Sequence, residues 1–126
     1  MGQKVNPNGL RIGITHSWPS TWFATGRKYS ELLLQDVRIK RYITGKMKEA
    51  GISSIEIDRG KKVTVTIHTA KPGVIIGKQG AAIEDLKKDL EHRFTGSFLV
   101  EVQEIRQPDA DSEVIAESIQ GQIQRR

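Results

Sequence analysis

The chain contains no cysteine, which removes a disulfide framework, a thiolate metal site and a cysteine nucleophile together, and fits a reducing compartment. It also lacks any apolar run approaching the length of a membrane span. A Met1-Gly2 start invites N-myristoylation, but Asn6 stands where that signal places Ser or Thr, and no hydrophobic secretory core follows. No export signal and no membrane partner are expected. Two nucleotide-binding signatures are missing as well. There is no Gly-x-Gly-x-x-Gly; Gly73 to Gly77 is one residue too short for a Walker loop, and Gln79 stands where a Mg²⁺-binding Ser or Thr should follow Lys78.

An enzyme needs a nucleophile and a base, or metal ligands, converging at one place. His16, His68 and His92 lie far apart and without ligand spacing. Glu84, Asp85, Asp89 and Glu91 crowd one segment, but Glu84 with Lys88 has the i,i+4 spacing of a surface ion pair, so a solvated helix face accounts for them. We expect no catalysis, no metal, no cofactor and no small-molecule substrate.

What the chain has is positive charge in one half. Its 126 residues carry a net charge of +5, and 12 basic against 5 acidic residues precede or include Lys62, leaving 8 against 10 after it. Such a balance suits a polyanion, because each Lys or Arg set on a phosphate releases condensed counterions. Residues 1–26 are rich in Gly, Pro, Asn and Ser, lack a sustained period, and read as a basic arm. Within it Arg11-Ile12-Gly13-Ile14 is expected to pair as a short strand, and Trp18, Trp22 and Phe23 to pack back on the domain rather than stack on bases.

From Tyr29 to Ala50 the period is helical, with Tyr29, Leu32, Leu33, Val37, Ile39, Ile43, Met47 and Ala50 on one face. Lys40 falls inside that face. A break at Gln35-Asp36, with Asp36 as N-cap of a second segment ending near Gly51, would turn the lysine outward. Ile55 and Ile57, then Val63, Val65 and Ile67, alternate with polar residues about a turn at Arg59-Gly60-Lys61, which predicts a hairpin. Pro72 opens a short helical turn through Ile76, and Ile83, Leu86, Leu90 and Phe94 form the core stripe of a helix starting at Ala81. Phe98, Val100 and Val102 alternate as a third strand, and Asp109 or Asp111 caps a last helix with a narrow stripe of Ile115, Ile119 and Ile123. Three strands cannot close a barrel, so the fold class is α/β (α+β): a two-layer sandwich of a three-stranded sheet and helices, behind an extended N-terminal arm.

Between the short helical turn and the next helix sits Gly77-Lys78-Gln79-Gly80. Without Cβ atoms this corner lets a sugar-phosphate chain approach the main chain, while the free N–H groups of the following helix and the Lys78 cation favour a phosphate. Glycines three apart recur by chance; the order of elements around them is the stronger signal.

That order, with Ile75-Ile76-Gly77-Lys78-Gln79-Gly80 between two adjacent helices, resembles the KH module in its second (type II, prokaryotic) topology, a single-stranded nucleic-acid binder. The arm narrows the likeness. Met1-Gly2-Gln3-Lys4-Val5-Asn6-Pro7-Asn8-Gly9-Leu10-Arg11-Ile12-Gly13, Ser20-Thr21-Trp22-Phe23-Ala24 and Thr66-Ile67-His68-Thr69-Ala70-Lys71-Pro72-Gly73 are similar to the bacterial-type third-protein family of the small ribosomal subunit. The resemblance implies a structural protein, cytoplasmic and within a bacterial or bacterial-type organellar ribosome, that binds ribosomal RNA of the small-subunit head beside neighbouring head proteins. Messenger RNA on its way into the subunit is a further implied partner. The alternative is a free-standing KH protein acting as an RNA chaperone or assembly factor.

Members of that family continue past the last helix into a second domain, so residues 107–126 are expected to begin a helix leading to a domain not present here, after an arm at 1–26 and a KH type II unit at 27–106. Two RNA-binding surfaces remain open. One is the KH loop, Gly77, Lys78, Gln79 and Gly80 with Lys71 nearby. The other, favoured, is the basic cluster of arm and first helix: Lys4, Arg11, Arg27, Lys28, Arg38, Lys40, Arg41, Lys46 and Lys48.

Overall fold

β-Branched residues alternating with polar ones build a long antiparallel hairpin, β2 (Ile52–Arg59) and β3 (Val63–Thr69), in register at Ile55 with Ile67 and Ile57 with Val65. A computed structural model describes residues 1–126. Around the hairpin lie α1 (Pro7–Arg11), β1 (Ser20–Thr21), α2 (Arg27–Lys46), α3 (Pro72–Ile76), α4 (Ala81–Arg93), β4 (Phe98–Glu104) and α5 (Ser112–Gln124). The sheet order is β1-β2-β3-β4; β1 runs parallel to β2, and β4 parallel to β3.

One sheet face is apolar and covered by helices. Ile55 and Ile57 of β2, Val65 and Ile67 of β3 and Phe98 of β4 meet Ile39 and Ile43 of α2, Ile75 of α3 and Leu86 and Leu90 of α4 in a single cluster. Burial of such side chains contributes roughly 1.5–3 kcal/mol each, which is what holds two layers together. The helices thereby fix the α3–α4 corner at the edge of the sandwich. The sheet's other face carries Glu56, Thr66, His68 and Glu101, on the alternate positions of the same strands.

Three expectations are corrected. The helix does not break at Gln35-Asp36 into a short and a longer segment: α2 is continuous, and Asp36 is not an N-cap but a helix-interior residue only 2% exposed. Burial is tolerated because Arg59, Trp22 and Ser20 all donate to its carboxylate. The inward stripe of α2 is consequently Asp36, Ile39 and Ile43, with Leu32 and Met47 half-buried, whereas Tyr29, Leu33 and Val37 are exposed. The sheet has four strands, the fourth being the two-residue β1 from the arm. Arg11-Ile12-Gly13-Ile14 is not a strand either. Asn6 caps α1 by accepting from the Asn8 N–H at 2.9 Å, Pro7 occupies its first turn, and the chain then turns so that Ile12 bridges to His16.

The last helix begins as one of the two alternatives had it. Asp111, not Asp109, is the cap: its Oδ1 accepts from the N–H groups of Glu113 and Val114, and Ser53 of β2 donates to Oδ2. The expected stripe of Ile115, Ile119 and Ile123 is solvent-exposed.

Candidate nucleic-acid interface

Ile75, fully buried, pins α3 to the core, and the helix ends two residues later at Gly77, whose N–H donates to the Gly73 carbonyl at 3.0 Å. Gly77 adopts φ 72° and ψ −169°, a conformation close to glycine-only. Lys78 to Gly80 then form a single tight turn with Gln79 at φ 55° and Gly80 at φ 79°. Three positive-φ residues in four reverse the chain abruptly into α4. The Ala81 N–H donates to the Lys78 carbonyl, and no side chain caps the N–H groups that follow it in the first turn of α4. Lys78 and Gln79 are exposed at the tip, with the partly exposed apolar side chains of Val74 and Ile76 beside them. A cation, open main chain and apolar flank in one place suit a phosphate followed by a base.

Lys71 occupies the far end of α3 from Lys78, and a five-residue helix is only about 7.5 Å long. Its backbone N–H donates to the buried Thr69 hydroxyl at 3.1 Å, leaving the side chain exposed. The corner therefore carries two exposed cations on one rigid unit.

The basic arm and α2 are less uniform than their composition implied. Lys4, Arg11, Lys28, Arg38, Arg41 and Lys48 are exposed. Of these Arg38 and Arg41, about 60° apart around the axis, occupy the side of α2 turned away from the core, together with exposed Leu34 and Val37. Arg27 pairs with Glu31 at 3.5 Å, an exposed contact worth little. Lys46 is engaged: Asp89 of α4 receives both its ammonium and the Tyr42 hydroxyl. The hydrogen bond to Asp89 holds the Lys46 ammonium above its ordinary range, and the same bond first, then the Tyr42 hydroxyl, holds the Asp89 carboxyl below its own. Lys40 is not turned outward. Half-buried, it donates to the Pro19 carbonyl at 3.1 Å, and desolvation lowers its pKa despite the opposing attraction of Asp36 and Glu56.

The arm aromatics divide. Trp22 packs against the Tyr29 ring at 5.3 Å and donates from Nε1 to Asp36 Oδ2 at 2.7 Å, whereas Trp18 and Phe23, expected to pack, are 61% and 88% exposed. Rings exposed to that extent are open to stacking by bases. The histidines are dispersed: His16 closes the arm turn, His68 lies 3.5 Å from Glu56 on the polar sheet face, and His92 is exposed on α4.

The KH domain family matches residues 38–110, from the middle of α2 to the turn before α5. The chain belongs to the KH domain family. Its glycine corner is thus the loop between the two adjacent helices of a KH fold with α+β topology. Similarity to individual proteins reaches further than the KH domain. The chain is 48% identical along its whole length to "Small ribosomal subunit protein uS3" of Desulforamulus reducens, covering 58% of that protein. It is 47% identical to the protein of the same name from Acetivibrio thermocellus and 50% to that from Rhodospirillum centenum, each over 100% of this chain and 56% of the relative. The chain spans little more than half the length of these curated relatives.

Sequence reasoning missed the junction that Asp36 makes beside these residues. Asp36 is no helix cap but joins the arm to the KH fold; a carboxylate among apolar positions of one helical face is the signal for it in the sequence.

Proposed function

We propose that this chain is the RNA-binding portion of a structural protein of the small ribosomal subunit, which holds ribosomal RNA in the head and performs no chemistry. One observation carries the reading. The KH match begins at residue 38, but similarity to proteins named for the small subunit runs through all of residues 1–37 as well. A free-standing KH adaptor has little need for a basic, aromatic-bearing leader of that kind, whereas a protein threaded into folded RNA does, since such segments order against their partner.

In this reading residues 1–26 are the basic arm, 27–106 the KH unit, and 107–126 the start of a helix that leads on. Lys4, Arg11, Lys28, Arg38, Arg41 and Lys48 contact phosphates of the ribosomal RNA, with Arg27 free to join them by leaving Glu31. Lys40, half-buried against Pro19, and Lys46, paired with Asp89 at the surface, hold the fold instead. Gly77, Lys78, Gln79 and Gly80, with Lys71, form a second contact for single-stranded RNA, including messenger RNA entering the subunit. Neighbouring head proteins complete the setting, in the cytoplasm or in an organelle of bacterial descent.

Sedimentation of the tagged chain from cell lysate at low and moderate salt tests the proposal. Migration with small subunits that persists at moderate salt is the expected result. Recovery only in the free fraction, still bound to short single-stranded RNA, would replace it with the free-standing KH reading.

A further inference from the structure

Three separate parts of the chain meet at one buried carboxylate. Asp36, from the middle of α2, accepts from the Arg59 Nε at 2.9 Å and from its Nη2 on one oxygen, and from Trp22 Nε1 at 2.7 Å and Ser20 Oγ at 3.4 Å on the other. The side chains of Asp36 and Arg59 are 3% and 10% exposed, so the charges are removed from solvent as a pair. Arg59 also stacks its guanidinium 6.0 Å from the Trp22 ring centre. Ser20 and Trp22 belong to the arm; Asp36 and Arg59 belong to the KH fold. Two backbone-directed contacts reinforce the junction, because the Pro19 carbonyl accepts from the Ile57 N–H at 3.2 Å and from Lys40 Nζ at 3.1 Å.

An ion pair in this position is a costly way to fill space, since desolvating both charges offsets most of their attraction and apolar residues of similar volume would pack as well. What it offers instead is directionality. Both Arg59 donors converge on Oδ1 of Asp36, which fixes the carboxylate and leaves Oδ2 aimed in one direction, and that second oxygen holds the arm tryptophan. With Trp18 and Phe23 exposed, Trp22 is the one arm tryptophan or phenylalanine that docks.

We propose that Asp36 is a positioning residue for RNA binding: it touches no RNA, but latches the arm at Trp22 and so sets where Lys4 and Arg11 stand relative to Arg38 and Arg41. The proposal rests on the ribosomal RNA reading above. Without the latch, the arm must be ordered by the RNA itself at the moment of binding, and affinity falls by the cost of that ordering.

The test uses the full chain with two variants. Trp22→Phe cuts the indole tether and keeps the ring; Asp36→Leu with Arg59→Met removes both buried charges together, so that neither is stranded and the fold survives. Hydrogen exchange at the Ile57 amide, which bonds to the arm at Pro19, reports docking, and the amide of Leu90 in α4 reports the fold. In both variants Ile57 is expected to exchange at least about tenfold faster with Leu90 unchanged. Affinity for a head-region transcript of the small-subunit ribosomal RNA is expected to fall about tenfold. That loss should vanish when Lys4→Ala and Arg11→Ala are already present. Unchanged Ile57 protection, an affinity that ignores Asp36 while wild type binds, or a loss that persists without the arm cations would each overturn the positioning role. A wild-type chain that does not bind the transcript would instead sink the ribosomal RNA reading beneath it.

Discussion

Gly77 and Ala82 leave no room for a side chain between them: a Cβ built on Gly77 would lie 2.6 Å from the Ala82 Cβ and 3.1 Å from the Ala82 backbone nitrogen. The contact explains how the corner can be so tight. The main chain leaving α3 crosses directly over the first turn of α4, and φ 72° with ψ −169° is reachable there only by glycine. Gly80 differs, since its φ of 79° is left-handed but its nearest foreign atom would be the Ile83 Cγ2 at 3.9 Å.

Alanine should therefore be tolerated unequally at the two glycines. Gly80→Ala meets only the left-handed penalty, about 1–2 kcal/mol. Gly77→Ala adds a clash with the Ala82 Cβ and a tight contact with the Ala82 nitrogen, and should lose more than Gly80→Ala, about 3 kcal/mol. Urea unfolding of the two variants checks the order. A Gly77→Ala chain as stable as Gly80→Ala would mean that the α3–α4 crossing relaxes easily and that the corner is not a rigid clamp.

Lys78 and Gln79 lie at the exposed tip, so replacing both with Asp should leave the unfolding midpoint within about 0.5 kcal/mol of wild type. Gln79 already holds φ 55°, a conformation that Asp accepts more readily than Gln. Binding of single-stranded RNA should weaken at least about tenfold, because two carboxylates would face the phosphate. Equal affinity in the double variant would remove the corner from the interface and leave the arm and α2.

The parts of this fold legible in the sequence are those whose determinants are local. Ile55, Ile57, Val63, Val65 and Ile67 alternate, Leu86 and Leu90 repeat at helical spacing, and Gly77 and Gly80 interrupt them; each signal lies within one element. Asp36 and Lys40 failed because their partners are distant. Nothing near Asp36 in sequence announces Arg59, 23 residues away, and the Pro19 carbonyl that receives Lys40 is 21 residues away. A period count sees Lys40 on an apolar face and breaks the helix at Asp36; the structure gives the lysine a carbonyl and pairs the carboxylate with Arg59. β1 was invisible for another reason, two residues being too few to show alternation. α1 was legible but overlooked, since Asn6-Pro7 combines a cap with the residue favoured in a first turn.

Asp111 ties α5 to the sheet and gives the fold an acid-sensitive joint. The Ser53 hydroxyl, and next the backbone N–H groups of Val114 and Glu113, hold its carboxyl below the ordinary carboxylate range, against a desolvation penalty. Folding thus favours the carboxylate. The stabilisation is complete above the unfolded-state value near pH 4 and is lost as the pH falls through the lower folded-state value. Asp111→Asn keeps a competent cap without the titration, so its stability should fall less than that of wild type between pH 7 and pH 3. Asp111→Ala should lose about 1 kcal/mol at pH 7. Urea midpoints at the two pH values decide it; identical acid sensitivity in wild type and Asp111→Asn would assign the effect to other carboxylates, Asp89 first.

The final expectation separates cations that meet RNA from cations that hold the protein together. Each phosphate contact by a Lys or Arg contributes about 0.7–0.9 to the slope of log affinity against log salt. Arg38 and Arg41 are exposed on the outer side of α2, so Arg38→Ala and Arg41→Ala should each flatten the slope by about that amount. Lys40, only two positions from Arg38, is committed to the Pro19 carbonyl and half-buried. Lys40→Ala should leave the slope nearly unchanged and lower stability by about 1.5 kcal/mol, the contribution of a hydrogen bond from a charged donor. Salt titrations of affinity for a small-subunit ribosomal RNA transcript, paired with urea midpoints, read both quantities. If Lys40→Ala flattened the slope as much as Arg38→Ala does, its ammonium would have to swing off Pro19 to reach a phosphate, and the arm would be held in the complex by Asp36 and the Ile57 amide without it.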